Sequence, residues 1–425
     1  MTATIETTPL HEMEVPIRSA RPLLSATLLQ FMATMVLANI AGEMVYPLLP
    51  LYLKSLNASV VQVGLFFTIS QIFPLVLQIL GGWISDSMGR LRSIAFGSLA
   101  GVLSYVGMIL SPTWQWLLLS EAFGSMTRSL VAPSFGAFIA ESSTEETRAR
   151  VYGITETIFM VVAVVGPPIG GWLVDNYGFK VMLVFAGILY TLATVMRVAM
   201  ARAAARSLEA RPQPLSLTSL RLNLKTMLTL ILGGGLVTWL LLTDGVRDVA
   251  YALSFNLLPV YLKDMGGNSV QQIGWLESCF GLAMMLVAMP AGWLADKKGE
   301  RLSIALGFVL HFVAMMLFIR ASSFWGFAVA WSLLGVGVGF MTPAFESLTS
   351  KAVPEKLRGT AFGLFSTSLG LMSLPAPAIG AQIWQRFSPR TPFALTGWAA
   401  LLAIIPVWLK FRNVESRDGE NDPKR

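Results

Sequence analysis

Leu48-Leu49-Pro50-Leu51-Tyr52-Leu53-Lys54 returns 209 residues later as Leu257-Leu258-Pro259-Val260-Tyr261-Leu262-Lys263. One residue inserted in the following loop moves the offset to 210, and there it stays. Gly64 pairs with Gly274, Asp86 with Asp296, Gly89 with Gly299, Pro133 with Pro343, Arg148 with Arg358, Gly153 with Gly363, Pro167 with Pro377 and Gly170 with Gly380. A register held over so much chain marks a duplication. Each copy is a series of apolar stretches, so the chain reads as two similar membrane bundles with any binding site lying between them.

The composition agrees. Of 425 residues, 54% are hydrophobic and only 13% are charged, too little polar surface to cover a water-soluble globule. Stretches of about 18 or more apolar residues, each able to cross a hydrocarbon layer of about 30 Å as a helix, fall near 23–50, 60–83, 93–111, 114–139, 151–173, 179–200, 228–261, 270–294, 302–320, 323–349, 359–385 and 392–411. The expected fold is an all-α membrane protein with twelve transmembrane helices in two pseudo-symmetric six-helix bundles. The bundles occupy 22–200 and 226–412, with a tail over 1–21, a basic linker over 201–225 carrying Pro212 and Pro214, and a second tail over 413–425.

The net charge of +7 is explained by topology and calls for no nucleic-acid partner. With the amino terminus inside, the outer loops hold only Lys54, Lys180, Lys263, Arg320, Arg386 and Arg390. Arg128 and Arg247 fall within spans, and the other cationic residues, Arg197 among them, fall in segments assigned to the cytoplasmic side. This is the positive-inside bias and places both termini in the cytoplasm, in a plasma or inner membrane. Cys279 is alone, which excludes an intramolecular disulfide. The first twenty residues carry Glu6, Glu12 and Glu14 ahead of any apolar run, unlike a cleavable signal.

Between the second and third spans stands Gly82-Trp83-Ile84-Ser85-Asp86-Ser87-Met88-Gly89-Arg90-Leu91-Arg92, and in the second copy Gly292-Trp293-Leu294-Ala295-Asp296-Lys297-Lys298-Gly299-Glu300-Arg301. Both resemble the loop signature of the major facilitator superfamily, G-x-L-A-D-R-x-G-R-[KR]. Ser87 and Leu91 stand where that family often has basic residues. A small residue permits close helix contact, glycine permits a tight turn, and an acid near a helix end can face a neighbouring helix terminus or an arginine. Asp86 and Arg90 are therefore expected to latch one conformation, as are Asp296 and Arg301.

Gly166-Pro167-Pro168-Ile169-Gly170-Gly171 in the fifth span resembles the G-P-x-x-G-G core associated with drug:proton antiporters of that superfamily. Glycines at this spacing clear one helical face for another backbone, and proline loosens the hydrogen-bond ladder. The reading is a hinge or seal, or simply static packing; the family's further glycine is Val162 here. In the fourth span the arginine that drug exporters commonly place twelve residues before the proline is replaced by Glu121, while an arginine occurs seven residues on, at Arg128. Two helical turns set both on one face.

Charges inside a membrane cost a few kcal/mol unless they meet water or a partner, so they point to a site. Asn39 and Glu43 share a face of the first span. Asp244, Arg247 and Asp248 share a face of the seventh, where Asp248 matches Asn39 in the repeat. First and seventh spans line the central cavity in proteins of the resembled family, although an internal ion pair of Arg247 with an aspartate is an alternative. Glu43 has no basic neighbour on its own helix and is the first choice for proton carrier. Glu277 in the eighth span ranks lower, and His311 reads as an outward or packed residue. Met35, Tyr46, Phe73, Tyr251 and Trp275 are candidates for an adaptable apolar wall.

No phosphate-cradling loop, HExxH, paired cysteine or metal-ligand cluster is present, so enzymatic chemistry, a metal and a cofactor are not expected. The resemblance spans residues 22 to 412 and implies a monomeric transporter of a small molecule, embedded in the bilayer and driven by a gradient. The expected activity is proton-coupled efflux of a moderately hydrophobic organic molecule by alternating access. An importer or facilitator of a polar metabolite is the main alternative, favoured by Glu121 and the mixed charges of the seventh span. A non-transporting sensor finds little support in the short tails.

Overall fold

The computed structural model describes residues 26–75, 77, 89–143, 145–205, 236–352 and 370–411. Among them every regular element is helical. In chain order these are α1 Ala26–Val45, α2 Leu49–Ser55, α3 Val60–Ser70, α4 Arg90–Leu110, α5 Trp116–Ser142, α6 Glu145–Tyr177, α7 Phe179–Ala205, α8 Leu236–Ser254, α9 Leu258–Asp264, α10 Val270–Lys298, α11 Glu300–Phe318, α12 Phe324–Ala352, α13 Ala376–Arg386 and α14 Thr391–Lys410. Gly82, Asp86, Arg358 and Gly363, both tails, and residues 206–225 of the linker lie outside the described residues. α7 carries the sixth span five residues past its expected end, to Ala205.

Helices occupy all twelve expected segments, and eight helical stretches among the described residues are long and apolar enough to cross a membrane. Two of the other four, α5 and α8, hold the charges singled out above: Glu121 and Arg128 in one, Asp244, Arg247 and Asp248 in the other. The remaining two, α3 and α13, are 11 residues each and adjoin stretches outside the description.

The first and seventh spans, expected as single helices, are each interrupted. α1 passes through a 3-10 turn over Tyr46–Leu48 into α2, and α8 passes through Phe255–Leu257 into α9. Pro50 and Pro259 lack the N–H that would bond four residues back, so the ladder tightens one turn ahead of each. The first loop is duplicated too. Ser59 and Ser269 both close capping boxes, with Gln62 and Gln272 reaching back to the cap. Gly89 and Gly299 adopt φ of 86° and 89°, the positive-φ turn expected of the loop motif and strained for any side chain.

The two halves meet along two seams that obey the repeat. On one, Gly64 of α3 lies against Pro377 and Ala381 of α13, and Thr68 accepts a hydrogen bond from the Ala378 amide at 3.1 Å. On the other, Gly274 of α10 lies against Pro167 and Pro168 of α6, and the Ser278 hydroxyl donates to the Val164 carbonyl. Gly64 and Gly274 are partners at offset 210, as are Pro377 and Pro167, so one residue pair builds both contacts. Small residues are what allow backbones this close.

Asp175 of α6 adds a lock to the second seam. Its carboxylate accepts from the amides of Val270 at 3.1 Å and Gln271 at 2.8 Å, capping the amino terminus of α10 from the opposite half. Lys54 and Asp264 pair across the halves at the same end. At the opposite end of α10 a Cβ on Gly292 would meet nothing within 4 Å among the described residues. Among the described residues the contacts that join the halves lie at the Lys54 end.

In a Cys279→Ser background, the Lys54→Cys, Asp264→Cys protein is expected to lose both free thiols to a disulfide under mild oxidation. Thiols that stay fully reactive with maleimide would show that the two positions do not meet.

Candidate functional site

A cavity of about 290 Å³ opens within the amino-terminal half, walled by α1, α4, α5 and α7. Three glycines belong to its lining. Gly42, Gly101 and Gly124 line it, and their repeat partners in the second half are Tyr251, His311 and Leu334. There the Tyr251 and His311 rings pack edge to face with centroids 4.7 Å apart, while His311 and Leu334 are fully buried. Where the first half has three glycines, the second has side chains packed together. His311 is thus a packed residue, with no hydrogen-bond partner on either ring nitrogen among the described residues.

Arg128 on α5 is the centre of the polar wall. Glu121, one of the buried charges at 6% exposure, pairs with it. The guanidinium also donates to the Tyr46 hydroxyl at 2.7 Å and to Ser125 at 3.0 Å, and lies over the Tyr46 ring at 5.3 Å. The seven-residue spacing seen in the sequence is thereby realised as an ion pair. Removing either member leaves an uncompensated charge in the bundle, whereas the pair holds α5 to the 3-10 break of the first span.

Asn39 and Glu43 of α1 face the same cavity. Among the described residues Glu43 has no cationic partner. Its Cβ lies 2.4 Å from where a Cβ on Gly166 would stand, so the first residue of the Gly-Pro-Pro motif is held glycine by the backbone that carries this carboxylate. Gly170 meets Met44 of α1 in the same way, and Gly171 meets Val270 and Gln271 of α10. The motif therefore binds α6 to α1 on one side and, with Pro167 under Gly274, to α10 on the other. Glu277 lies on α10 between Gly274 and Ser278 of that seam and is not among the residues lining this cavity.

Asp244, Arg247 and Asp248 do not join this group. Arg247 approaches Asp244 at 2.7 Å and Asp248 at 3.1 Å, and its guanidinium lies 5.2 Å from the centre of the Phe345 ring of α12. These charges form a cluster inside the second half. Of the loop motif, Gly89 and Arg90 open α4, Gly299 opens α11, and Asp296 and Arg301 flank that turn. Arg301 stacks on Trp408 with its guanidinium 3.5 Å from the ring centre.

Two residues of the site escaped sequence reasoning. Asp175, near the end of α6, carries no motif that singles it out in the sequence. Arg197 was assigned to the cytoplasmic side because it sits near the end of the sixth span; instead it is 2% exposed and lines the cavity. Its nitrogens donate to Ser98 at 2.8 Å and to the Thr34 hydroxyl at 3.2 Å and carbonyl at 3.3 Å, and one lies 2.8 Å from the Met35 sulfur. α7 runs eight residues beyond it, a length that the apolar pattern after Arg197 hinted at.

Comparison with known proteins places this geometry among transporters. The Major Facilitator Superfamily profile matches residues 28–268 and 245–425. A multi-drug resistance efflux pump PmrA homolog of Lactococcus lactis is 25% identical over 379 residues, 87% of this chain and 91% of its own. The multidrug resistance protein MdtG of Citrobacter koseri is 25% identical over 409 residues, 94% of this chain and 97% of its own. Among solved structures, a bacterial homologue of the iron transporter ferroportin in an inward-facing state superposes with a TM-score of 0.74 at 16% identity, covering 91% of this chain and 98% of that one. The peptide transporter POT in complex with sulfate gives 0.73 at 15% identity, covering 90% and 93%. At those identities the structural matches speak to the fold alone.

Proposed function

The chain belongs to the major facilitator superfamily of membrane transporters, and from that premise we propose that it expels a small, moderately hydrophobic organic molecule in exchange for protons. The observation that carries this reading is the position of Glu43. It lines the cavity and at the same time lies under Gly166, on the helix whose other faces make the α6–α10 seam. A change of charge at Glu43 therefore acts both on what the cavity holds and on the contact that keeps the Lys54 end shut. A ligand or proton can shift two conformations only through a difference in its affinity for them, and this placement supplies one.

In the orientation set by the positive-inside bias, the closed end faces outward and the cavity is served from within. Protonation of Glu43 from outside and cargo loading from inside then alternate as the halves rock about the seams. Arg128, neutralised by Glu121, shapes and lines the wall. The names carried by the sequence relatives support export of organic compounds as the physiological direction.

The test uses purified protein in vesicles loaded with the pH-sensitive dye pyranine, exposed to a panel of aromatic organic compounds. Compounds that are cargo are expected to drive proton movement opposite to their own, and Glu43→Gln is expected to reduce it at least tenfold while still binding them. Unchanged coupling in Glu43→Gln removes Glu43 from the role, and cargo moving with the proton replaces export by import.

A further inference from the structure

Among the described residues Arg197 is a buried cation without a counter-charge. Among the described residues its neighbours are Thr34, Ser98, Met35 and the Tyr190 ring, all neutral, and none of the described carboxylates pairs with it. Glu43 is the one acid among the residues that line this cavity, and Glu121 stands behind the wall. Glu121 is engaged by Arg128. Glu43 lies nine residues along α1 from Thr34, a helical rise of about 13 Å, too far to neutralise the guanidinium directly. Arginine keeps its charge in any protein environment, so this charge cannot be shed by giving up a proton. Burying it without a partner costs several kcal/mol, which an incoming anion recovers in part.

The rest of the cavity describes the body of such a ligand. Tyr105 and Tyr190, their rings packed together with centroids 5.1 Å apart, line the cavity along with Ala38 and Val131. These are planar and apolar surfaces, suited to aromatic rings. We propose that the cargo is an elongated aromatic anion, its carboxylate or similar acid group held by Arg197 and its apolar body lying along the tyrosines toward Glu43. The inference rests on the transport reading of this cavity and deepens it by fixing the sign of the cargo's charge. It also divides the labour: Arg197 holds the anion at one end while Glu43, at the other, stays free to exchange its proton.

Three probes of one shape separate charge from fit: biphenyl-4-carboxylate, 4-phenylbenzylammonium and 4-phenylbenzamide, titrated calorimetrically into the purified full-length protein. The carboxylate is expected to bind at least tenfold tighter than the ammonium. Arg197→Gln should lower carboxylate affinity at least tenfold and leave the amide within about twofold, and Arg197→Lys should restore most of the loss. A purely structural brace would weaken all three probes together.

Equal or tighter binding of the ammonium, no binding of the carboxylate, or unchanged carboxylate affinity in Arg197→Gln each overturns the proposal. Should Arg197→Gln fail to fold, the wild-type ranking and Arg197→Lys decide alone. The pyranine assay keeps the two readings apart. Proton movement driven by other compounds while the carboxylate does not bind sinks the anion and leaves transport standing. Tight binding of the carboxylate with no proton movement from any compound does the reverse.

Discussion

Gly274→Val is expected to open the Lys54 end of the protein and to cut transport more than tenfold. A Cβ at this position would stand 2.4 Å from the Pro167 carbonyl oxygen and 2.7 Å from its carbon, with Pro168 Cα at 3.0 Å. All three are backbone atoms inside α6, so no side chain can swing aside. Overpacking of this kind costs about 1–3 kcal/mol, roughly a 5- to 150-fold change in an equilibrium between two conformations. Because the strain exists only where α6 and α10 touch, it penalises the closed seam specifically. The measurement is the rate at which a cysteine substituted at Lys54 reacts with a membrane-impermeant maleimide, which should rise sharply, alongside vesicle transport. Gly274→Ala, one carbon instead of three, should lie between. Wild-type reactivity in Gly274→Val would mean that the seam does not govern closure.

The second large effect concerns the ion pair of the cavity. Arg128→Met strands Glu121, which is buried; because the Arg128 side chain is 43% exposed, the about 3–5 kcal/mol typical of breaking a fully buried pair is an upper limit. The expected outcome is a fall in the thermal unfolding midpoint, and Glu121→Gln, which leaves the half-exposed Arg128 without its acid, should lower it less. The double variant Glu121→Gln, Arg128→Met should recover much of the loss, because it removes both charges together. The coupling energy of that cycle is the quantity to report. Additive losses would show that the two side chains act independently, in which case the pair is not what holds α5 against Tyr46.

Much of the architecture was legible because duplication leaves a numerical trace. The 209 and 210 offsets marked which glycines and prolines correspond, and the structure puts corresponding residues into corresponding contacts, Gly64 on Pro377 and Gly274 on Pro167. The positive φ at Gly89 and Gly299 was readable for the same reason. Helix breaks at Pro50 and Pro259 were missed because apolar content, the signal used to mark spans, is indifferent to a local change of ladder.

The site was legible in part. Glu121 and Arg128 could be placed on one face from spacing alone, and Glu43 and Asn39 likewise, because helical periodicity fixes what shares a stripe. What spacing cannot give is which stripes converge. Arg197 and Asp175 act across helices far apart in sequence, and Asp244, Arg247 and Asp248 satisfy one another at a depth where a cavity position looked equally good. The register also concealed the asymmetry of the halves, since Gly42, Gly101 and Gly124 had to be compared with Tyr251, His311 and Leu334 before it could be seen.

That asymmetry bears on how a cargo would travel. If one half alone grips it, the molecule rides with that half like a passenger on one arm of a seesaw, and its pocket is never pulled apart by the motion that carries it. The opposite half then serves as a solid wall that swings from one doorway to the other, and it can remain unchanged while substitutions around the three glycines retune what is carried.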